Sequence, residues 1–556
     1  MILRIIIATL LIFTGALFPA DDSHTAIMAY LQSIKPAEST KSLEIKPIKS
    51  LLIHPHQRGK LLGKAQYSRP NLDNEQLYRS SAGNFLFHYT ETGYDAVDPL
   101  STNADGVPDY IYEAALAAEY AYRILVDTLG FDPPPVDDSA TPETDIYVMN
   151  LGGSAYAYTY NENEVVSTSR SDDWTAYTTI DNDYSEMGYH TRGLNGMRVT
   201  IAHEYFHVVQ LGYNWYWEND LPGSNGDTYF LEWSSTWFEE RAYPEINDYV
   251  QYVNGFFANP TRSIWHSSYA YALGPFIAYL IDIYGDERLI QKVWEKIKSQ
   301  YALQALMDVI SEYGGDLANQ YNSFMAACYY TGARYNELYA VSPDARLFPE
   351  MVLTKRSFVD SLLIEGAVNP LATAPYAVSF TTNQFLNLEV KSPVSGEFKG
   401  SYLIDQYSAG DFFRKFADQT EVFVGETRRS DQLALFVTNT SIEQSRDLHL
   451  ELTITETFPT KILELWANPY SSQRHASLKF NLQLGKFIDK LQLQIYNLLG
   501  QQVYSRIIDG ENLNPGILLL EIRSAELQIR NISSGIYFLR LLADDSEVVR
   551  KFTIIN

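Results

Sequence analysis

The spacing of apolar residues changes along the chain and divides it into regions. From about Ser81 to residue 183, short runs alternate polar and apolar positions as strands do: NFLFHYTETG, ETDIYVMNL, AYAYTYNE and WTAYTTIDND. One helix interrupts them. Residues 109–130, DYIYEAALAAEYAYRILVDTLG, repeat apolar positions with a helical period and end at Gly130.

A helical period then dominates from VTIAHEYFHVV at residues 199–209 to about residue 340. Further helices are predicted at 229–242, 270–284, 286–299, 301–312 and 317–331. Strands followed by helices predict an α+β domain over residues 81–340.

Alternating runs return in the last third of the chain, as in FLNLEVKS, LALFVTNTS and LHLELTITET. They predict a β-sandwich over residues 345–460 and a second all-β, immunoglobulin-like unit over 461–556. Residues 21–80 are weakly patterned, and they are interpreted as an N-terminal arm or a pro-segment.

The first twenty residues, MILRIIIATLLIFTGALFPA, place one basic residue before a short apolar run. This pattern is typical of a signal peptide, and an uncleaved anchor is the alternative. No later stretch has about 18 consecutive apolar residues, so no transmembrane segment is expected in the mature chain.

The amino-acid composition disfavours one class of partner and excludes one source of stability. The formal net charge of −26 disfavours nucleic acid as a partner, because its phosphates would be repelled. Cys328 is the single cysteine and can form no internal disulfide, although the chain is predicted to be exported. Stability is therefore expected from packing and from bound ions.

The strongest chemical signal is H-E-x-x-H, formed by His203, Glu204 and His207. Residues four apart share one face of a helix, so both imidazoles can bind one zinc ion. Glu204 beside them can take a proton from a water activated there. Satisfied core histidines are the alternative, but an apolar helix would bury these groups at considerable cost without a partner.

A third ligand is expected from YFLEWSSTWFEERAY at residues 229–243. Glu232 is the predicted ligand, because the small residues after it let two helices approach closely; a charge at a helix N-terminus is the alternative. Glu239, two turns later, is predicted to orient a ligand histidine. Tyr213 stands where a metzincin has its third histidine, so a His–His–Glu site is favoured.

Residues 81–340 resemble a family of secreted bacterial metallopeptidases of the gluzincin kind. The matching stretches are SSAGNFLFHYTETGYDAVD, DGVPDYIYEAALAAEYAY, TDIYVMNL, TIDNDYS, TIAHEYFHVVQLGYN, FLEWSSTWFEERAYPEINDYV and YALGPFIAYLIDIYG. The resemblance implies a zincin-like catalytic domain, with a mixed sheet packed on the active-site helix and a helical half closing the cleft. It also implies His203, His207 and Glu232 as zinc ligands and Glu204 as the catalytic base.

Three further predictions concern the surroundings of the site. Tyr269 and Tyr271 are candidates to stabilise an oxyanion, with ordinary packing as the alternative. WTAYTTIDND at 174–183 is a candidate strand for pairing with an extended peptide. YNWYWEND at 213–220 is a candidate wall of the cleft, with loop packing as the equal alternative.

Oxygen-bearing side chains in DAVDPLSTNADGVPD suggest a second ion. They offer the ligands that calcium prefers around a glycine turn, and a turn in which Asp109 caps the next helix is the equal alternative. The candidate calcium ligands are Asp98, Asn103, Asp105 and Asp109.

The last 95 residues carry ELWANPYSSQ, LQLQIYNLLGQQVYS, ISSGIYFLRL and VVRKFTIIN, and they resemble the C-terminal sorting domain of type IX secretion. Gly500, Gly535 and Tyr537 match its turn glycines and strand tyrosine. The family begins with Tyr-Pro-Asn-Pro where this chain has Trp466-Ala467-Asn468-Pro469. The resemblance implies contact with the secretion machinery and release, or anchoring, at the surface of a Gram-negative-type bacterium; an immunoglobulin-like adhesive module is the alternative.

Together these patterns predict a secreted or cell-surface zinc metalloendopeptidase acting on protein or peptide substrates, with Glu204 as general base. One alternative is a non-catalytic adhesion or binding protein whose zincin-like domain holds a structural metal. A gluzincin exopeptidase is the other.

Overall fold

The structure is a computed structural model that forms two compact units, Met1–Val352 and Leu353–Asn556. It describes residues 69–555 except for short internal gaps. The gaps are 137–141, 166–172, 215–220, 225, 338, 381–383, 392–395, 406–411, 418–420, 428–431, 455–459, 467–469, 472–474, 476, 485–487, 510–512, 514–515, 529–532 and 544–545. The predicted signal peptide and residues 21–68 lie outside the described part.

The first unit begins with a mixed five-stranded sheet in the order β1-β2-β3-β5-β4. Its neighbours β2, β3 and β5 run parallel, whereas β1 and β4 pair antiparallel at the two edges. The strands are β1 (Gln76–Arg79), β2 (Phe85–Tyr89), β3 (Thr144–Val148), β4 (Ala157–Glu164) and β5 (Trp174–Ile180). The predicted strands of residues 81–183 are therefore present, and β1 adds the end of the segment interpreted as an arm.

Arg69 attaches that segment to the sheet. Its Nη1 lies 2.6 Å from Asp145 Oδ2 on β3, and its Nη2 donates to Glu162 Oε2 on β4 at 2.7 Å. A second contact, from Nε to Glu162 Oε1, makes the pair with Glu162 bidentate, which is the geometry in which a guanidinium binds a carboxylate best.

Helix α1 (Asp109–Tyr122) connects β2 to β3 and continues as a π-helical segment, Arg123–Thr128. Helix α2 (Gly193–Leu211) packs against α1, β4 and β5, and every residue from Val199 to Leu211 is buried. A helix buried on all sides must find partners for any polar side chain that it carries, and α2 carries the H-E-x-x-H sequence.

Six helices follow α2 among the described residues of the first unit, which agrees with the helical character predicted for this region. They are α3 (Thr228–Ala242), α4 (Val250–Ala258), α5 (Gly274–Tyr284), α6 (Leu289–Ile297), α7 (Ala302–Glu312) and α8 (Leu317–Ala327). Helix α4 was not predicted. The helix predicted from residue 270 begins only at Gly274, after a 3-10 turn at Ser267–Tyr269.

The second unit begins with a β-sandwich at Thr354, so the change of structure falls near Val352 and not at 340–345. Its sheets, in the orders β11-β10-β13-β8-β6 and β12-β9-β14-β7, share one apolar core. The strands are β6 (Thr354–Phe358), β7 (Ser361–Val368), β8 (Thr373–Phe380), β9 (Gln384–Lys391), β10 (Phe398–Asp405), β11 (Phe412–Ala417), β12 (Glu421–Thr427), β13 (Gln432–Asn439) and β14 (Arg446–Ile454).

A further strand-rich part ends the chain, with sheets in the orders β15-β16-β19 and β18-β17-β20-β21 around a second core. Gly500 occupies the turn between β17 and β18 with φ 77°, and Tyr537 lies in β20, as the sorting-domain resemblance predicts. Gly535, the other predicted turn glycine, is the first residue of β20. The elements are β15 (Lys461–Trp466), β16 (Ser477–Leu484), β17 (Lys490–Asn497), β18 (Gln502–Asp509), β19 (Gly516–Arg523), α9 (Ser524–Gln528), β20 (Gly535–Ala543) and β21 (Ser546–Ile554).

Two expectations concern single features. Cys328 is buried and unbonded to another cysteine. Among the described residues, no helix has both the length and the apolar character needed to cross a membrane.

Candidate metal centre

Helices α2 and α3 bring three predicted ligands together. His203 Nε2 lies 3.0 Å from His207 Nε2 and 3.1 Å from Glu232 Oε2, and His207 Nε2 lies 3.4 Å from the same oxygen. Ligands bonded tetrahedrally to one zinc ion at about 2.0–2.1 Å are separated by about 3.3 Å. The triangle formed by these three atoms therefore has the size that such an ion requires.

Hydrogen bonds on the far side of each ring decide which nitrogen carries the proton. His203 Nδ1 lies 2.7 Å from Glu239 Oε1, and His207 Nδ1 lies 2.8 Å from Gln210 Oε1. A carboxylate and an amide oxygen only accept hydrogen bonds, so we assign the proton of each neutral ring to Nδ1.

The amide of Gln210 is oriented independently of the histidine. Its Nε2 donates to Leu231 O and to Ser235 Oγ, both at 3.2 Å, which directs Oε1 towards His207. No role for Gln210 was predicted from the sequence, although its position three residues after His207 places it on the same helix face. Glu239, by contrast, contacts a ligand histidine as predicted from its spacing.

With both Nδ1 atoms protonated, two nitrogen lone pairs and a carboxylate oxygen face one another. His203 and His207 are 0% exposed and Glu232 is 6% exposed, so bulk solvent screens these groups little. Three electron-pair donors at this distance repel unless a proton or a metal cation lies between them. The donor set of two imidazoles and one carboxylate fits zinc.

The pKa values of His203 and Glu232 also indicate that the site favours a positive charge. Burial alone would lower the pKa of His203, but its hydrogen bonds with Glu232 and Glu239 outweigh burial and raise the pKa to about 9. Burial would raise the pKa of Glu232, but the two histidines lower it to about 2. The site thus favours a negative carboxylate facing a cation.

Glu204 projects from α2 beside the two histidines and is 1% exposed. Its Oε2 accepts a hydrogen bond from Thr159 Oγ1 on β4 at 2.6 Å, whereas Oε1 has no hydrogen-bond partner within the described structure. Burial raises the pKa of Glu204, and the neighbouring His207 and His203 oppose that rise. A carboxylate with a raised pKa and one free oxygen is suited to accept a proton.

The two candidate tyrosines have different surroundings. The ring of Tyr271 lies beside that of His203, with centroids 6.1 Å apart and planes at 29°. Tyr269 is fully buried, donates to Asn259 O and accepts from Arg262 N, so its hydroxyl serves the loop around it. The packing alternative therefore describes Tyr269, and Tyr271 is the tyrosine that contacts the site.

The predicted peptide-binding strand needs a correction. Strand β5 pairs with β4 along its length and with β3 over residues 178–180, so the backbone groups of that half are already used on both sides. The strand at this edge of the described sheet is β4, which also carries Thr159. Residues 215–220 of the predicted aromatic wall lie outside the described residues.

The predicted calcium ligands do not converge. Asp109 Oδ1 accepts from Thr102 N, Asn103 N and Asn103 Nδ2, and Asn103 Oδ1 accepts from the two backbone amides that follow Ala104. Asp98 binds Leu100 N, and Asp105 accepts from Tyr78 OH. These bonds are those of the turn alternative.

Among the comparisons with known proteins, the match at the C-terminus is the one that indicates a role. Residues 465–555 match the secretion system C-terminal sorting domain. The protein is exported to the outer surface or beyond. The tail therefore implies an interaction with the secretion machinery, as its resemblance to the type IX sorting domain predicted.

Residues 53–321, which contain the whole candidate metal centre, match a family of unknown function, DUF6055. None of the curated protein sequences compared matches the chain. The similarity to DUF6055 therefore carries no activity with it, and the site must be interpreted from its own geometry.

Some solved structures match parts of the chain with low TM-scores. The Salmonella Typhimurium periplasmic lysozyme inhibitor PliG is 10% identical with a TM-score of 0.13, covering 18% of this chain and 97% of its own. Bifidobacterium dentium β-glucuronidase is 10% identical with a TM-score of 0.14, covering 33% and 38%. The BSP domain of a biofilm associated protein has the same identity and TM-score, covering 35% and 49%. Scores this low support no inference about this chain.

Proposed function

We propose that the first unit is a zincin-like zinc metallopeptidase of the gluzincin kind that hydrolyses peptide bonds in proteins outside the cell. The observation that carries this proposal is the meeting of His203 Nε2, His207 Nε2 and Glu232 Oε2 beside the free Oε1 of Glu204. A structural metal needs the first three groups but has no use for a buried carboxylate next to them.

Different residues of the site would bind the metal, transfer protons and orient the ligand histidines. Bound zinc would polarise a substrate carbonyl and make a water acidic enough to attack near neutral pH. Glu204 takes the proton of the attacking water on Oε1 and then delivers it to the nitrogen of the leaving amine. Glu239 and Gln210 keep the two imidazoles turned towards the ligand position.

The substrate would enter past Tyr271, which is half-buried beside His203. Its hydroxyl is our candidate for stabilising the oxyanion that develops on the substrate carbonyl. An extended peptide would pair with β4, the edge strand of the described sheet, which runs past Glu204 through Thr159. Pairing along an edge strand suits internal segments of unfolded protein and favours an endopeptidase over an exopeptidase.

One observation favours the binding-protein alternative. His203, Glu204 and His207 are all 1% exposed or less, so the described residues leave little open surface at the ligands. A protein that holds a metal only to support its fold would bury it in this way. The two functions differ in whether Glu204 is needed for any chemistry.

The deciding experiment compares the full exported chain with its Glu204→Gln variant, both loaded with zinc, on an unfolded fluorescent protein. Glu240→Gln is a matched control, since it makes the same change on the neighbouring helix α3. We expect the wild type and the control to release internal fragments and Glu204→Gln to lose at least about 100-fold in rate while keeping its zinc.

Equal cleavage by wild type and Glu204→Gln would remove Glu204 from the mechanism. No cleavage by any variant, with one zinc tightly bound per chain, would establish the binding-protein alternative. Release of single terminal residues without internal fragments would identify an exopeptidase.

A further inference from the structure

We propose that Thr159 and Thr178 form a two-hydroxyl relay that positions Glu204, so that the sheet as well as the helix sets the geometry of proton transfer. The proposal rests on the proposed peptidase function. It adds two positioning residues on the sheet, neither of which lies in the H-E-x-x-H sequence or on the helices that supply the metal ligands.

The relay crosses from the sheet to helix α2. Thr159 and Thr178 are paired on the adjacent strands β4 and β5, and their Oγ1 atoms lie 3.2 Å apart. Thr159 Oγ1 lies 2.6 Å from Glu204 Oε2. The two threonines are 0% and 3% exposed, so water does not compete for these hydrogen bonds.

The direction of the hydrogen bonds follows from what each group can do. An ionised carboxylate only accepts, so Thr159 must donate its single hydroxyl proton to Glu204. The Thr159 oxygen is then free to accept, and Thr178 is the hydroxyl within reach that can donate to it. The chain of donors therefore runs from Thr178 through Thr159 to Glu204.

This arrangement makes the two carboxylate oxygens of Glu204 different. Oε2 is held by Thr159, whereas Oε1 has no hydrogen-bond partner among the described residues. When the water O–H bond breaks, the proton goes to Oε1; it leaves as the new N–H bond of the amine forms. The hydrogen bond to Oε2 stays in place through both transfers, so the side chain does not rotate between them.

Loss of the relay should lower turnover without removing the metal. A carboxylate released from Thr159 can turn away from its productive orientation, and a misplacement of about 1 Å can cost about 100-fold in rate. The metal ligands lie on α2 and α3 and do not contact Thr159 in any hydrogen bond described. Zinc binding and substrate affinity should therefore change little.

The test uses four variants of the full chain. Thr159→Val and Thr178→Val remove one hydroxyl each with almost no change in shape, and Thr159→Ser restores the donor at the first position. Thr179→Val is the matched control, because it is the next residue of β5, equally buried, with a hydroxyl that lacks a hydrogen-bond partner in the described structure. Each is measured for kcat, KM, zinc content and melting temperature.

We expect kcat to fall about 10- to 100-fold in Thr159→Val and by less in Thr178→Val, with KM and zinc content within about twofold of wild type. Thr159→Ser should recover most of the loss, and Thr179→Val should match wild type. A purely structural role would lower the melting temperature of Thr159→Val and would not give this separation of kcat from KM.

Wild-type kcat in Thr159→Val, while Glu204→Gln is inactive, would overturn the relay and leave the peptidase proposal standing. Full activity in Glu204→Gln would overturn the peptidase mechanism and the relay with it. A crystal structure of Thr159→Val gives a second measurement: an unmoved Glu204 side chain would also contradict the positioning role.

Discussion

Glu239 Oε1 lies 2.7 Å from Nδ1 of His203, and this contact keeps the opposite nitrogen of the ring directed at Glu232 and His207. The carboxylate comes from α3, the same helix that supplies Glu232, so one helix both contributes a ligand and orients another. The adjacent Glu240 makes a different contact, with Asp344, which provides a comparison within one dipeptide.

The first prediction concerns that pair. Glu239→Gln removes the negative charge that supports the protonated Nδ1 of His203 and should weaken zinc binding about 10- to 100-fold. Glu240→Gln should leave zinc affinity unchanged. Competition with a chromophoric chelator measures both, and equal affinities for the two variants would contradict the orienting role of Glu239.

The second prediction concerns metal removal. A ligand that binds only the folded state stabilises it by about 2.7 kcal/mol when present at 100 times its Kd. Chelation should therefore lower the melting temperature of the wild type, and added zinc should restore it. Glu232→Gln, with a weakened site, should respond much less to either treatment; an identical response would exclude Glu232 as a ligand.

The third prediction concerns pH. Burial, together with the carboxylate of Asp344, raises the pKa of Glu240 from 4.5 to about 9. The folded state therefore holds this proton more tightly than the unfolded state. Its contribution is complete below about pH 4.5 and is lost as pH rises towards 9.

Glu240→Gln keeps the size of the side chain but cannot ionise. Its melting temperature should equal that of the wild type near pH 4.5 and exceed it by a few degrees near pH 9. Parallel curves for the two proteins across this range would show that Glu240 ionises as freely in the folded state as in the unfolded one.

The fourth prediction concerns two helical glycines. A Cβ on Gly274 at the start of α5 would lie 2.9 Å from Trp237 N and 3.1 Å from Thr236 Cγ2, both on α3. Gly274→Ala should force the helices apart and cost about 1–3 kcal/mol of unfolding free energy. Because α3 carries Glu232, zinc affinity should fall as well.

Gly255 in α4 is the matched control, since the nearest atom to its added Cβ is Ser268 O at 3.9 Å. Gly255→Ala should stabilise the helix by about 0.5–1 kcal/mol because alanine loses less backbone entropy on folding. Denaturant unfolding of both variants measures the difference. Equal effects would mean that α3 and α5 do not pack as closely as the structure has them.

The sequence predicted correctly those elements whose hydrophobic period or residue spacing lies within the element itself. The strand and helix periods located the sheet of the first unit and its longer helices, and i, i+4 spacing placed His203 and His207 together. Helix α4 was missed, since QYVNGFFAN contains glycine and asparagine and its helical conformation depends on tertiary packing.

The residues around the metal ligands could not be predicted, because they reach the site through contacts between distant parts of the sequence. Thr159 meets Glu204 because β4 is one of the two strands that pack against α2, and sequence spacing says nothing about strand order. The edge strand also depends on strand order, and for this reason the sequence wrongly indicated β5 as the peptide-binding strand. Tyr269 and Tyr271 could not be told apart by composition, because the direction of each side chain is set by the loop before α5.

Arg69 forms ion pairs with two carboxylates, so removal of N-terminal residues has different consequences before and after this position. Asp145 is 2% exposed and the Glu162 side chain 10% exposed, so the guanidinium supplies compensating charge to both, and His88 Nε2 also lies 2.9 Å from Asp145 Oδ1. Removal of the residues before Arg69 would leave this ion pair intact, whereas removal of Arg69 itself would take the guanidinium away from Glu162 on β4, the strand that carries Thr159.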